Sequence, residues 1–98
     1  MQIIDHLYHF MNGILEDPRI GPTHISLYVA ILTNFRNQSL NDPISVFSRN
    51  LMKQSKIAGN GTYYKCLTDL KAAGYIHYIP SSNPFLGSLI YLIANDQS

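Results

Sequence analysis

The run Tyr63-Tyr64-Lys65-Cys66-Leu67-Thr68-Asp69-Leu70-Lys71, closed by Gly74 and followed by two β-rich stretches, narrows the choice of fold more than any other part of the chain. Tyr63, Cys66, Leu67 and Leu70 fall at i, i+3, i+4 and i+7, the pattern of a helix with one buried face, and Gly74 supplies a C-terminal stop. Ahead of this helix Leu51 and Met52 mark a shorter one, with the turn around Gly59-Asn60-Gly61 between them. Behind it, Tyr75-Ile76-His77-Tyr78-Ile79 and Ser88-Leu89-Ile90-Tyr91-Leu92 read as strands. Their connector from Pro80 to Gly87 is longer than a two-residue turn. Residues 51–92 are thus predicted to form helix, turn, helix and hairpin, with the second helix over about 61–73.

The flanking segments complete one α+β domain, which a chain of 98 residues with 46% hydrophobic content can close around a single modest core. Ile4, Leu7, Met11 and Ile14 share a face of a helix predicted within residues 1–17, and Ile3, Phe10 and Leu15 widen that stripe. So broad a stripe needs a cover: the chain's own core, and with it a second copy of the chain for which Ile4, Leu7, Met11 and Ile14 are the candidate dimerisation residues. Asp17-Pro18 should end the helix, because proline disfavours helical geometry in the residue before it. Thr23 is the expected N-cap of a helix from His24 to about Asn37 that turns Ile25, Tyr28, Ile31, Leu32 and Phe35 inward. Ile44-Ser45-Val46-Phe47 alternates as a short strand, expected as a third member of the hairpin sheet. Ser48 is the expected N-cap of the helix that ends near Ser55. The main domain is expected over residues 23–94, and 95–98 read as a polar tail.

The pattern Thr62-Tyr63-x-Lys65-x-Leu67-x-x-Leu70-x-x-x-Gly74-Tyr75-Ile76, with a hairpin ending Gly87-Ser88-Leu89-Ile90-Tyr91-Leu92, resembles winged helix-turn-helix transcriptional regulators. It is similar to the GntR and MarR groups, and closer still to short regulators of bacterial mobile elements; the likeness covers His24 to Leu92. One departure is the turn from Ile57 to Thr62, which is longer than in those groups. The resemblance implies a three-helix core with a β-hairpin wing, here with an extra N-terminal helix. It further implies a non-enzymatic regulator whose helix at 61–73 reads the major groove of double-stranded DNA, sequence-specifically and as a homodimer.

The residues themselves fit that chemistry. Residues 1–43 hold Arg19 and Arg36 against Asp5, Glu16, Asp17 and Asp42. Residues 44–98 hold Arg49, Lys53, Lys56, Lys65 and Lys71 against Asp69 and Asp96, so positive charge gathers in the helix-turn-helix region despite a net charge of only +1. Asn60, Thr62, Tyr64, Lys65 and Thr68 lie on or beside the first turns of the second helix, away from its apolar face. Asn and Thr can read adenine and the thymine methyl, and a lysine reaches guanine or phosphate. Arg49, Lys53 and Lys56 recur at helical spacing and can form a phosphate clamp. In the hairpin loop Ser82 and Asn83, with Ser81, can donate to phosphates, but no lysine or arginine follows Lys71, which argues against deep minor-groove insertion. Phe85 is expected to pack on the hairpin or a partner rather than wedge between bases.

Other function classes find little in the sequence. His6 and His9 stand beside Asp5 without further ligands at metal spacing, no Gly-rich phosphate loop or nucleophile triad occurs, and neither metal nor cofactor is expected. The lone Cys66 falls on the inward side of its helix and reads as a buried, inert thiol. No apolar run approaches the roughly 18 residues of a membrane span and the N-terminus lacks a basic leader, so a cytoplasmic protein is expected. A small-molecule effector would have to sit at a dimer seam near Tyr8 and Tyr28, with no separate ligand domain to hold it. The rival to DNA binding is a winged helix used as a protein-interaction module in a replication or mobile-element complex. The low net charge and the uncharged hairpin speak for it.

Overall fold

The computed structural model describes residues 2–83 and 85–93. The polar tail expected at 95–98 lies outside the described residues. Among those described, the chain is α+β. Its order is α1 (Ile3–Gly13), a 3-10 turn (Ile14–Glu16), α2 (Pro22–Thr33), β1 (Ile44–Val46), α3 (Ser48–Ser55), α4 (Asn60–Ala72), β2 (Ile76–Ile79) and β3 (Ser88–Leu92).

Helix α4 buries Tyr63, Cys66, Leu67 and Leu70, the face given by the apolar spacing, and starts one residue earlier than expected. Its end is a Schellman turn. Gly74 adopts a left-handed φ of +87°, its N–H donates to the Lys71 carbonyl at 3.1 Å, and the Tyr75 N–H donates to the Leu70 carbonyl at 3.1 Å. Helix α3 ends the same way with a lysine in the left-handed place. Lys56 has φ 63°, and the Ile57 N–H closes on the Met52 carbonyl at 3.0 Å. That turn swings the chain directly into α4.

Three helix boundaries differ from the sequence expectation. Thr23 and Ser48 are not N-caps: Gly21 and Phe47 hold those positions. At α2 the capping role passes to His24, whose Nδ1 accepts the Gly21 N–H at 3.1 Å, and Pro22 fits the first turn because it has no N–H to satisfy. Helix α2 stops at Thr33 rather than near Asn37. Asn34, Phe35 and Arg36 donate instead to carbonyls three residues back, tightening the chain until Asn37 reverses it at φ 68°.

The strands form one antiparallel sheet in the order β1-β3-β2, so β1 does join the hairpin as a third strand. Ile44 faces Ile90, which in turn faces Tyr78, and Ile76 faces Leu92; this row turns inward. The hairpin abuts β1 closely enough that a Cβ on Gly87 would stand 2.8 Å from the Val46 carbonyl oxygen, and Gly87 itself needs a φ of +70°.

Helix α1 joins this same core. Phe10 is fully buried, stacked on Tyr28 at 3.9 Å and edge-on to Tyr75 at 4.9 Å. The face expected inward, Ile4, Leu7, Met11 and Ile14, is therefore divided. Leu7 and Ile14 pack on the core with Ile3, whereas Ile4 and Met11 join Tyr8 and Leu15 on the exposed side. The apolar arc of this helix, opposite Asp5, His9, Asn12 and Glu16, is wider than the core can cover, so its orientation is set by the aromatic slot that takes Phe10.

Candidate nucleic-acid interface

Burying Tyr63, Cys66, Leu67 and Leu70 turns the rest of α4 outward, and Asn60, Thr62, Tyr64, Lys65 and Thr68 are all exposed. On α3 the buried Leu51 and Ser55 leave Arg49 and Lys53 exposed one turn apart, and Lys56 is exposed in the left-handed turn that follows, beside Thr62 in a shared groove. Among the described residues no ion pair engages Arg49, Lys53 or Lys56. Three exposed basic side chains therefore stand on α3 and the turn that precedes α4.

The exposed side of α4 has two borders. Towards the hairpin, Tyr64 lines a small cleft of about 150 Å³ together with Phe47, Ser48, Ser81 and Asn83, so the loop is brought beside the first turns of α4. Tyr64 is held there by an edge contact with Tyr63 at 4.9 Å. Towards α2, Thr62 lines a shallow groove of about 370 Å³ with Pro22, Thr23, Ser26, Lys56 and Gly59. The hydroxyl of Ser26 donates to the Ser55 carbonyl beneath it, tying α2 to the end of α3.

Lys65 is not an isolated cation. Its Nζ lies 2.9 Å from Asp69 Oδ2, which also accepts from His24 Nε2 at 2.7 Å. The hydrogen bond from the Lys65 ammonium, followed by that from His24, holds the Asp69 carboxyl below its ordinary range, and the same bond to Asp69 raises Lys65. Asp69 is the sole carboxylate between Pro43 and Asn95, a signal open to reading in the sequence but absent from its candidate site. Lys71 also has a partner, donating to the Tyr78 carbonyl at 3.3 Å and fastening α4 to β2.

The hairpin loop spends part of its polarity on itself. The Asn83 side-chain oxygen accepts the Phe85 N–H at 2.9 Å, and the Asn83 N–H donates to the Ser81 hydroxyl at 3.1 Å. Ser82 stays exposed beside them. Phe85 is 87% exposed, so it does not pack on the hairpin.

The remaining candidates are placed as follows. His6 is buried in α1 while His9 sits edge-on to Tyr75 at 6.3 Å, so the two imidazoles serve different surroundings. Cys66 is buried, and desolvation raises its thiol pKa, which disfavours the reactive thiolate. Tyr28 lies inside the core and Tyr8 outside it, so they do not line a common seam. Among the described residues no helix is long and apolar enough to cross a membrane. Comparison with protein-family models, with curated proteins and with solved structures found no match.

Proposed function

We propose that this chain is a winged helix-turn-helix protein that binds duplex DNA as a sequence-specific, non-enzymatic transcriptional regulator. In this reading α2, α3 and α4 are the three-helix core, β2 and β3 the wing, and α4 the helix that enters the major groove. The observation that carries it is the row Arg49, Lys53 and Lys56, exposed and without ion-pair partners among the described residues, leading into the polar face of α4. Such a row suits phosphates on either side of a groove, while Asn60, Thr62, Tyr64 and Thr68 offer the hydroxyls and amide that base edges accept.

The same reading includes a homodimer. Ile4, Tyr8 and Met11 are spaced by four and three residues along the exposed side of α1, the repeat that lets a helix pack against a copy of itself, and Leu15 in the 3-10 turn after it is exposed as well. Tyr8 is 72% and Leu15 78% exposed. Covering the four residues removes on the order of 500 Å² per protomer, or about 1,000 Å² in all, the lower limit for a specific interface. A two-fold dimer would address a palindromic site with half-sites about one helical turn apart.

Fluorescence anisotropy of a labelled random-sequence duplex, titrated at several salt concentrations with light scattering on the same sample, tests both parts. Three phosphate contacts predict a slope of log affinity on log salt near −2.7 per protomer, roughly a 40-fold loss between 50 and 200 mM. No binding at the lowest salt would overturn the DNA reading. It would favour the interaction-module reading, which the uncharged outer face of the sheet, with Ile79 and Leu89 side by side, supports.

A further inference from the structure

Five cations stand on α3, α4 and the turn between them, against a single carboxylate, and that carboxylate is fixed from behind. The Gly21 N–H donates to His24 Nδ1, so the lone pair is on Nδ1 and the proton on Nε2. His24 therefore donates its Nε2–H to Asp69 Oδ2 at 2.7 Å while its other ring nitrogen is occupied by the Gly21 N–H. The Asp69 charge is balanced by Lys65, whose ammonium is drawn over the same oxygen at 2.9 Å. The Lys65 side chain is 72% exposed and that of Asp69 19%. A phosphate approaching this part of α4 meets a closed ion pair, unlike one approaching Arg49, Lys53 or Lys56.

Resting on the DNA-binding reading, we propose that Asp69, anchored by His24, is a specificity-determining residue that withholds Lys65 from indiscriminate phosphate contact. On an arbitrary duplex the carboxylate keeps the ammonium, and binding relies on the α3 row alone. Only a site whose base edges dock α4 closely brings an acceptor near enough to draw Lys65 away. The device lowers affinity for random DNA, so the ratio between a specific site and the many competing ones rises.

The test compares wild type, Asp69→Asn, Asp69→Glu, Lys65→Gln and the Lys65→Gln/Asp69→Asn double variant on a random-sequence duplex across a salt series. Asparagine keeps an oxygen to accept the His24 N–H, so the tie between α2 and α4 survives and only the charge is lost. Thermal melts followed by circular dichroism check this. The expected result is that Asp69→Asn binds random duplex about tenfold more tightly at 50 mM salt, with a slope steeper by about 0.9, the signature of one added phosphate contact. Asp69→Glu retains the wild-type slope, and the gain vanishes in the double variant. Lys65→Gln alone leaves the wild-type slope unchanged, a prediction that stands even if Asp69→Asn fails to fold. Wild-type binding that loses a unit of slope with Lys65→Gln, or an Asp69→Asn variant that binds no more tightly, overturns this inference alone. Absence of salt-dependent binding by every variant overturns the DNA reading and the inference with it.

Discussion

Two surfaces of residues 44–93, one on the helices α3 and α4 and one on the sheet, are built over the same core yet differ in charge. The exposed edge of α3 and α4 carries Arg49, Lys53, Lys56, Lys65 and Lys71, relieved only by Asp69. The outer face of the sheet aligns Ser45, Leu89 and Ile79 in one row and His77 with Tyr91 in the next. No Asp, Glu, Lys or Arg occurs between Lys71 and Asp96. Both surfaces share the inward layer of Ile44, Val46, Ile76, Ile90 and Leu92, so their contrast is not imposed by packing. A cationic edge attracts a polyanion from a distance and loses it to salt, whereas an uncharged face holds a partner only by excluding water. One small domain thus presents a cationic edge and an uncharged face, while the hairpin loop offers polar Ser81, Ser82 and Asn83 beside exposed Phe85 and Leu86.

The hardest blow to this contrast comes from reversing charge on one side and polarity on the other. Arg49→Glu with Lys53→Glu removes two phosphate contacts and adds repulsion, and should weaken duplex binding by more than about 100-fold near 100 mM salt. Both side chains are exposed, so the melting temperature should hold. Ile79→Ser with Leu89→Ser should leave duplex affinity within about twofold. Equal losses from the two pairs, read by anisotropy, would end the contrast. A smaller effect belongs to α1: Tyr8→Lys places a charge in the centre of the exposed seam, and light scattering should report a monomer. That variant should lose roughly tenfold affinity for a two-site duplex through lost avidity, yet bind a short half-site duplex as before.

The sequence made the α4 face legible because its apolar residues obey a single helical period with polar residues between them. The third strand was legible for a similar reason, since Ile44 and Val46 alternate with polar Ser45 beside a proline-bounded turn. The orientation of α1 was only half legible, because Asp5, His9, Asn12 and Glu16 mark a polar side but Ile3, Ile4, Leu7, Phe10, Met11, Ile14 and Leu15 form an arc too wide to show which of its edges is buried. Phe10 wins through Tyr28 and Tyr75, the latter 65 positions away in the chain. The end of α2 was hidden because neither glycine nor proline marks it. Asn34 stops it by bonding the Ala30 carbonyl at 2.8 Å and Gln54 on α3 at 2.8 Å. The candidates on α3 and α4 are exposed, and the pairing of Lys65 with Asp69 was open to reading as an i, i+4 helix pair; the tie of Asp69 to His24 was not, because no local pattern connects residues 45 positions apart.

A finer probe of the cationic edge uses Lys56. Its left-handed backbone costs a residue with a Cβ about 1–2 kcal/mol, and only a glycine escapes that cost freely. Lys56→Gly removes the strain while loosening the unfolded chain, so stability should stay level or rise by up to about 1 kcal/mol. Random-duplex affinity should nevertheless fall about fivefold to tenfold with a slope shallower by about 0.9. A variant that gains stability and keeps its affinity would show that Lys56 closes the turn and does nothing more.

The smallest expected effect sits at Gly61, in the first turn of α4. A Cβ built there meets nothing within 4 Å, and the backbone lies outside the left-handed region that demands glycine. Neither packing nor conformation within the chain accounts for this residue, although glycine in a helix is less favourable than alanine by up to about 1 kcal/mol. If the proposed DNA approaches the start of α4 closely, a methyl group there would hold the two apart. Gly61→Ala should therefore raise the melting temperature by a few degrees while lowering duplex affinity about threefold, two changes of opposite sign from one methyl group. A variant that is both more stable and equally good at binding DNA would move the contact away from the start of α4, towards Tyr64, Thr68 and the hairpin.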